Sequence, residues 1–122
     1  MMMAGTAEWR SKEVFDRAVF ERLDKETGGA GLEIAEALLS TAPGRRDAMI
    51  AAAAEGRTAD LARVAHTTKS GARSLGLVRL SELCDAIERA PPADAEGLAA
   101  LGPVVRQEFD AAIAVISALR KR

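Results

Sequence analysis

The sequence predicts an all-α protein, and three observations carry that reading. Alanine, leucine, glutamate and arginine dominate the 122 residues, a composition of good helix formers. Apolar residues recur three and four positions apart along most of the chain, the period of one helix face. No run alternates apolar and polar residues in the manner of a half-buried strand.

Taken in order, residues 1–10 read as a flexible N-terminal tail, with Trp9 available to tuck onto the body. Ser11 precedes a segment in which Val14, Phe15, Ala18, Val19 and Leu23 recur at helical spacing, and Gly28-Gly29 is a natural stop. A second segment starts near Ala30 with Leu32, Ala35, Leu38 and Leu39 as its stripe and resumes beyond Pro43-Gly44 with Met49, Ile50 and Ala53. Pro43 either kinks one long helix or starts a new one. After Gly56, Thr58 is placed to N-cap a third segment, with Asp60 in its first turn and Gly76 just past its end. The next helix buries Leu80, Leu83, Cys84 and Ile87 and stops at Pro91-Pro92. The last carries Leu98, Leu101, Val105, Phe109, Ala112, Ile113, Ile116 and Leu119, with Gly102-Pro103 expected to bend or interrupt it. Four main helices on short connections favour an antiparallel four-helix bundle, with the short N-terminal helix as a cap.

The length suits one domain, residues 11–122, with a real core. A net charge of -1 offers no general basic field for nucleic acid, and 3% aromatic residues, none of them tyrosine, offer few stacking platforms for single strands. No apolar run reaches the length of a membrane span. The start, Met1 to Trp9, lacks the basic and apolar regions of a secretory signal. The lone Cys84 excludes an internal disulfide framework, fits a reducing cytoplasm and reads as a small core hydrophobe.

The single histidine is the most informative residue. On a helix, His66, Lys69, Ser70 and Arg73 form one polar stripe, while Leu61, Val64, Ala65, Thr68, Ala72 and Leu75 fall on the other side. The imidazole therefore points away from the core. Ala62 lies four residues before it and Ser70 four after, so it stands between low neighbours. Gly71 carries a helix-propensity cost of roughly 1 kcal/mol relative to alanine, which suggests close helix packing or close approach of a partner. With no second histidine, metal binding has little support. Glu82, Asp85 and Glu88 fit a helix surface laced with salt bridges better than an acid–base cleft.

The run Ala65-His66, Lys69, Ser70-Gly71, Leu75-Gly76, followed by Leu80, Leu83, Cys84 and Glu88 at helical spacing, resembles the histidine-containing phosphotransfer (HPt) domain of bacterial phosphorelays. The specific block covers residues 58–90, and the helix order extends the resemblance over about 12–120. Two positions depart from the family habit. Thr68 stands where leucine is frequent and Ser70 where glycine is, with Gly71 one step later.

The resemblance implies a cytoplasmic, monomeric phosphocarrier that exchanges a phosphoryl group with the aspartyl phosphate of response-regulator receiver domains or a hybrid histidine kinase. It implies His66 as phosphoacceptor through Nε2, Lys69 as the cation beside the phosphoryl group, and Ala62, Ser70, Gly71 and Arg73 as partner-contacting positions. The residues themselves agree with this. An exposed histidine, with an ordinary pKa of about 6.5, is neutral enough at cytoplasmic pH to act as a nucleophile. No glycine-rich nucleotide loop or P-loop lysine is present, so the chain lacks the parts of an autonomous kinase. No cofactor is expected, and magnesium would come with the receiver. Lys69 is expected to be exposed, which would make its replacement by alanine close to neutral for stability. A helical adaptor that binds a receiver or another signalling partner without carrying phosphate is the alternative, and an unrelated helical interaction bundle, dimeric through one of its apolar faces, is a third reading.

Overall fold

The computed structural model describes residues 6–120. Among the described residues the regular structure is entirely helical: α1 (Thr6–Trp9), α2 (Arg17–Glu26), α3 (Gly31–Ala54), α4 (Thr58–Ser74), α5 (Val78–Arg89) and α6 (Ala95–Arg120). The most extensive packing is α3 on α6 and α4 on α5, with α3 also against α4. The apolar stripes meet in one core that includes Leu38, Met49, Leu61, Leu83, Ile87, Phe109 and Ile116. No described helix is long and apolar enough to cross a membrane.

Several elements fall where the apolar period places them. Leu80, Leu83, Cys84 and Ile87 are all buried on α5, as are Leu98, Leu101, Val105, Phe109, Ala112, Ile116 and Leu119 on α6. Burial pushes the Cys84 thiol up to about 12, which keeps it protonated and inert. Thr68, a polar residue in the core stripe of α4, donates its hydroxyl to the Val64 carbonyl at 2.8 Å, so the polar group is buried but satisfied.

The start of α2, the start of α4 and the N-terminal stretch differ from expectation, and both prolines fall in continuous helices. The first amphipathic helix begins at Arg17, not after Ser11; Asp16 caps it by accepting from the Ala18 N–H at 3.0 Å. Val14 and Phe15 precede that helix, and Ser11 instead closes the α1 turn onto the Glu8 carbonyl at 2.8 Å. Thr58 is the first residue of α4 rather than its cap, because Arg57 occupies the cap position and binds Asp60 and Glu55 at 2.7 and 2.8 Å. Pro43 and Pro103 both sit inside continuous helices. Each proline removes one backbone donor, and burial of flanking residues such as Ala42, Met49, Leu101 and Val105 offsets that loss. Of the stretch read as a tail, residues 1–5 lie outside the described residues. Thr6–Trp9 is helical and packs on α5, and Trp9 is buried with the Arg10 guanidinium 4.8 Å over its ring.

The turn between α4 and α5 fixes the site helix to the rest of the fold. Gly76 follows the α4 cap with φ 83°, a left-handed conformation suited to glycine. Its carbonyl accepts from the Asp16 N–H at 2.7 Å, and a Cβ there would collide with the Asp16 carbonyl. One glycine thus ends α4 and lets the start of α2 close onto it.

Candidate functional site

His66 lies in the middle of α4, on the face opposite Leu61, Ala65, Thr68 and Ala72, and its side chain is 69% exposed. Its ring is not free to spin. Nδ1 stands 2.5 Å from Glu88 Oε2, a residue of the neighbouring helix α5. Glu88 is fixed in turn by Lys69, whose Nζ donates to Glu88 Oε1 at 2.6 Å and to Asp85 Oδ1 at 3.3 Å. Arg89 Nη2 closes the chain onto Asp85 Oδ2 at 3.0 Å. The result is a continuous series across the α4–α5 seam: His66, Glu88, Lys69, Asp85, Arg89.

The charges settle which atoms donate. The Lys69 ammonium, and secondarily His66, hold the Glu88 carboxyl below the usual carboxylate range, so it is ionised at neutral pH. Glu88 correspondingly raises the Lys69 ammonium above its ordinary value. An ionised carboxylate only accepts hydrogen bonds, so in the neutral ring the proton resides on Nδ1 and the lone pair on Nε2. Nε2 has no hydrogen-bond partner among the described residues. The arrangement therefore presents an oriented nitrogen lone pair to solvent, with an anion behind the ring to stabilise positive charge developing there.

The sequence-derived stripe separates into distinct environments. Lys69 is only 20% exposed, because its stem turns toward α5 and its ammonium bridges two carboxylates. The expectation of a freely exposed lysine, neutral to replace, is therefore corrected. Ser70 and Arg73 are exposed, Ala62 is half-buried, and Arg73 has no carboxylate in ion-pair reach among the described residues. Gly71 turns instead toward α3, where an added Cβ would meet Leu38 Cδ1 at 3.4 Å, an ordinary contact. Its place is the α3–α4 seam rather than the His66 face.

The sequence places Glu88 among three surface carboxylates and does not reveal its partnership with His66. The signal was present in its place four residues beyond Cys84, on the edge of the α5 core stripe. Among the described residues no group of three His, Cys, Asp or Glu side chains is arranged to hold a metal ion.

A family model described as the Hpt domain matches residues 33–118. No curated protein and no solved structure matches the chain.

Proposed function

Because this chain belongs to the Hpt domain family, we propose that it carries a phosphoryl group on His66 between the aspartyl phosphates of response-regulator receiver domains. The observation that carries this reading is the oriented imidazole: exposed, with Nδ1 held by Glu88 and Nε2 directed to solvent.

The Nε2 lone pair attacks the phosphorus of an aspartyl phosphate, the P–O bond breaks, and the aspartate leaves as a carboxylate. The ring keeps its Nδ1 proton and gains positive charge as the N–P bond forms. Glu88 lies against that proton, so its attraction grows as the charge develops, which lowers the barrier rather than merely binding the ground state. Lys69 acts first through Glu88, fixing the carboxylate that fixes the ring, and adds a cation beside the site. The reverse sequence returns the group to a receiver, and magnesium belongs to that partner.

On this reading Ala62 and Ser70 keep the surface low around the ring, and Arg73 contacts the partner two turns along. Helices α3 to α6 form one antiparallel four-helix bundle, with α2 as its cap and α1 packed on α5. The protein is a cytoplasmic monomer that carries phosphate without a kinase activity of its own.

The test is transfer of labelled phosphate from phosphorylated receiver domains to the wild-type protein and to His66→Gln. Label that is stable to alkali, labile to acid and absent from the variant supports the phosphocarrier. Receiver binding without label, unchanged by His66→Gln, would favour the helical adaptor.

A further inference from the structure

We infer that the groove between α3 and α4 beside His66 is an electrostatic anchor for an acidic partner surface; this rests on the phosphocarrier reading and names what the partner must present. The groove encloses about 400 Å³, and Ser40, Thr41, Arg45, Arg63, Val64 and Thr67 contribute to its walls. Among the described residues no carboxylate lines it. Its position ties it to the histidine: Arg63 lies one helical turn before His66 on the outer face of α4, and Thr67 follows His66 directly.

The groove's chemistry is one-sided. The hydroxyls of Ser40, Thr41 and Thr67 donate to the carbonyls of Ala37, Leu38 and Arg63 at 2.9, 3.1 and 3.0 Å. Their hydrogens are spent inside their own helices, which leaves the two guanidinium groups as the side-chain N–H donors. Arg46 is held by Asp47 and Asp110, both at 2.9 Å, and serves the α3–α6 contact. Its neighbour Arg45 is half-buried and has no carboxylate in ion-pair reach among the described residues. Arg63 makes one contact, to Asp60 at 3.3 Å, while Asp60 is bound more closely by Arg57 at 2.7 Å. An exposed pair of that kind is weak and leaves most of the Arg63 fork available.

Two arginines in a concave site without an acid make a local positive field on a chain whose net charge is -1. A partner bearing an aspartyl phosphate brings carboxylate and phosphate charge to His66. Acidic side chains flanking that phosphate would enter the groove, where guanidinium forks bind carboxylates well. Charges at the edge of an interface act chiefly on encounter and partner choice. Arg45 and Arg63 are therefore partner-selecting residues, outside the transfer machinery.

The experiment uses the full chain and its Arg45→Glu/Arg63→Glu double variant, each given two phosphodonors. One donor is phosphoramidate, which needs no docking. The other is the panel of receiver domains from the source organism, charged with acetyl phosphate. For the receivers that label the wild type, the double variant should lower kcat/KM at least about tenfold at low salt, through KM. Sodium chloride should slow wild-type transfer and, by screening the reversed charges, leave the variant unslowed or faster. Phosphoramidate labelling should stay within about twofold, showing that His66 and the fold are intact. A change in receiver transfer below about twofold, or equal salt sensitivity of both proteins, overturns the anchor. If phosphoramidate and every receiver leave wild-type His66 unlabelled, the phosphocarrier reading is what fails. The groove is then judged by calorimetric binding of the same receivers, and binding unaffected by the double variant overturns it.

Discussion

Replacing Glu88 by glutamine is the sharpest perturbation of the site, because Lys69 dictates how the new amide sits. A lysine ammonium can only donate, so the amide oxygen must take the place of Oε1 beside Lys69 Nζ, at 2.6 Å in the native protein. The amide nitrogen then stands where Oε2 was, 2.5 Å from His66 Nδ1, and donates to it. That bond favours the ring tautomer with its proton on Nε2, the nitrogen that must attack. The variant also loses the anion behind the ring.

Each loss corresponds to roughly one hydrogen bond, the second of them charge-assisted, and solvent screening of a ring that is 69% exposed trims both. Together they slow single-turnover phosphotransfer by roughly ten- to a hundredfold. Glu88→Ala should be the milder change, since water can accept from Nδ1 in the vacated space. The assay is rapid-quench transfer from a phosphorylated receiver, with helical content checked by circular dichroism. A Glu88→Gln rate within about twofold of wild type, or a Glu88→Ala rate below that of Glu88→Gln, would refute the orienting role.

Three further outcomes follow from the same contacts. Lys69→Ala should slow transfer and also lower Tm by roughly 2–5 °C, because it leaves Glu88 and Asp85 facing each other without their shared cation; an unchanged Tm in calorimetry would contradict the bridge. Gly71→Ala should stabilise the protein by up to about 1 kcal/mol, since the added methyl meets Leu38 at ordinary contact distance. Transfer should be unaffected, and a slowed transfer with a raised Tm would return Gly71 to the partner face. Arg79→Ala should destabilise by about 2–4 kcal/mol in urea unfolding, because the Arg79 fork is the bidentate partner, at 2.9 and 3.1 Å, of the buried Glu108 carboxylate on α6. A loss below about 0.5 kcal/mol would show that Glu108 is not held as described.

Much of this arrangement was legible in the sequence because a helix face is a local property. The period of 3.6 puts Leu61, Ala65, Thr68 and Ala72 on one side of α4 and His66 on the other, whatever the helix packs against. Glycines with their own conformational demands, such as Gly76, marked the turns. The start of α2 was misread because Val14 and Phe15 continue its apolar spacing although they lie before the helix; Asp16, the true cap, competes in the sequence with Ser11. The His66–Glu88 pair was illegible for another reason. Its members are 22 residues apart on different helices, and periodicity fixes the face of each helix but not the rotation and shift of α4 against α5. The same missing register concealed Lys69, which sits at the edge of the polar stripe where a long side chain can reach either solvent or the neighbouring helix.

The most direct test of the central claim is phosphorus NMR of the ¹⁵N-histidine-labelled protein after exposure to a phosphorylated receiver, recorded again after adding unphosphorylated receiver. One new phosphorus signal coupled to Nε2 of His66 is expected, and it should disappear as the phosphoryl group returns to the receiver. A phosphorus coupled to Nδ1, or a protein that binds the receiver and never acquires a phosphorus signal, would contradict that claim.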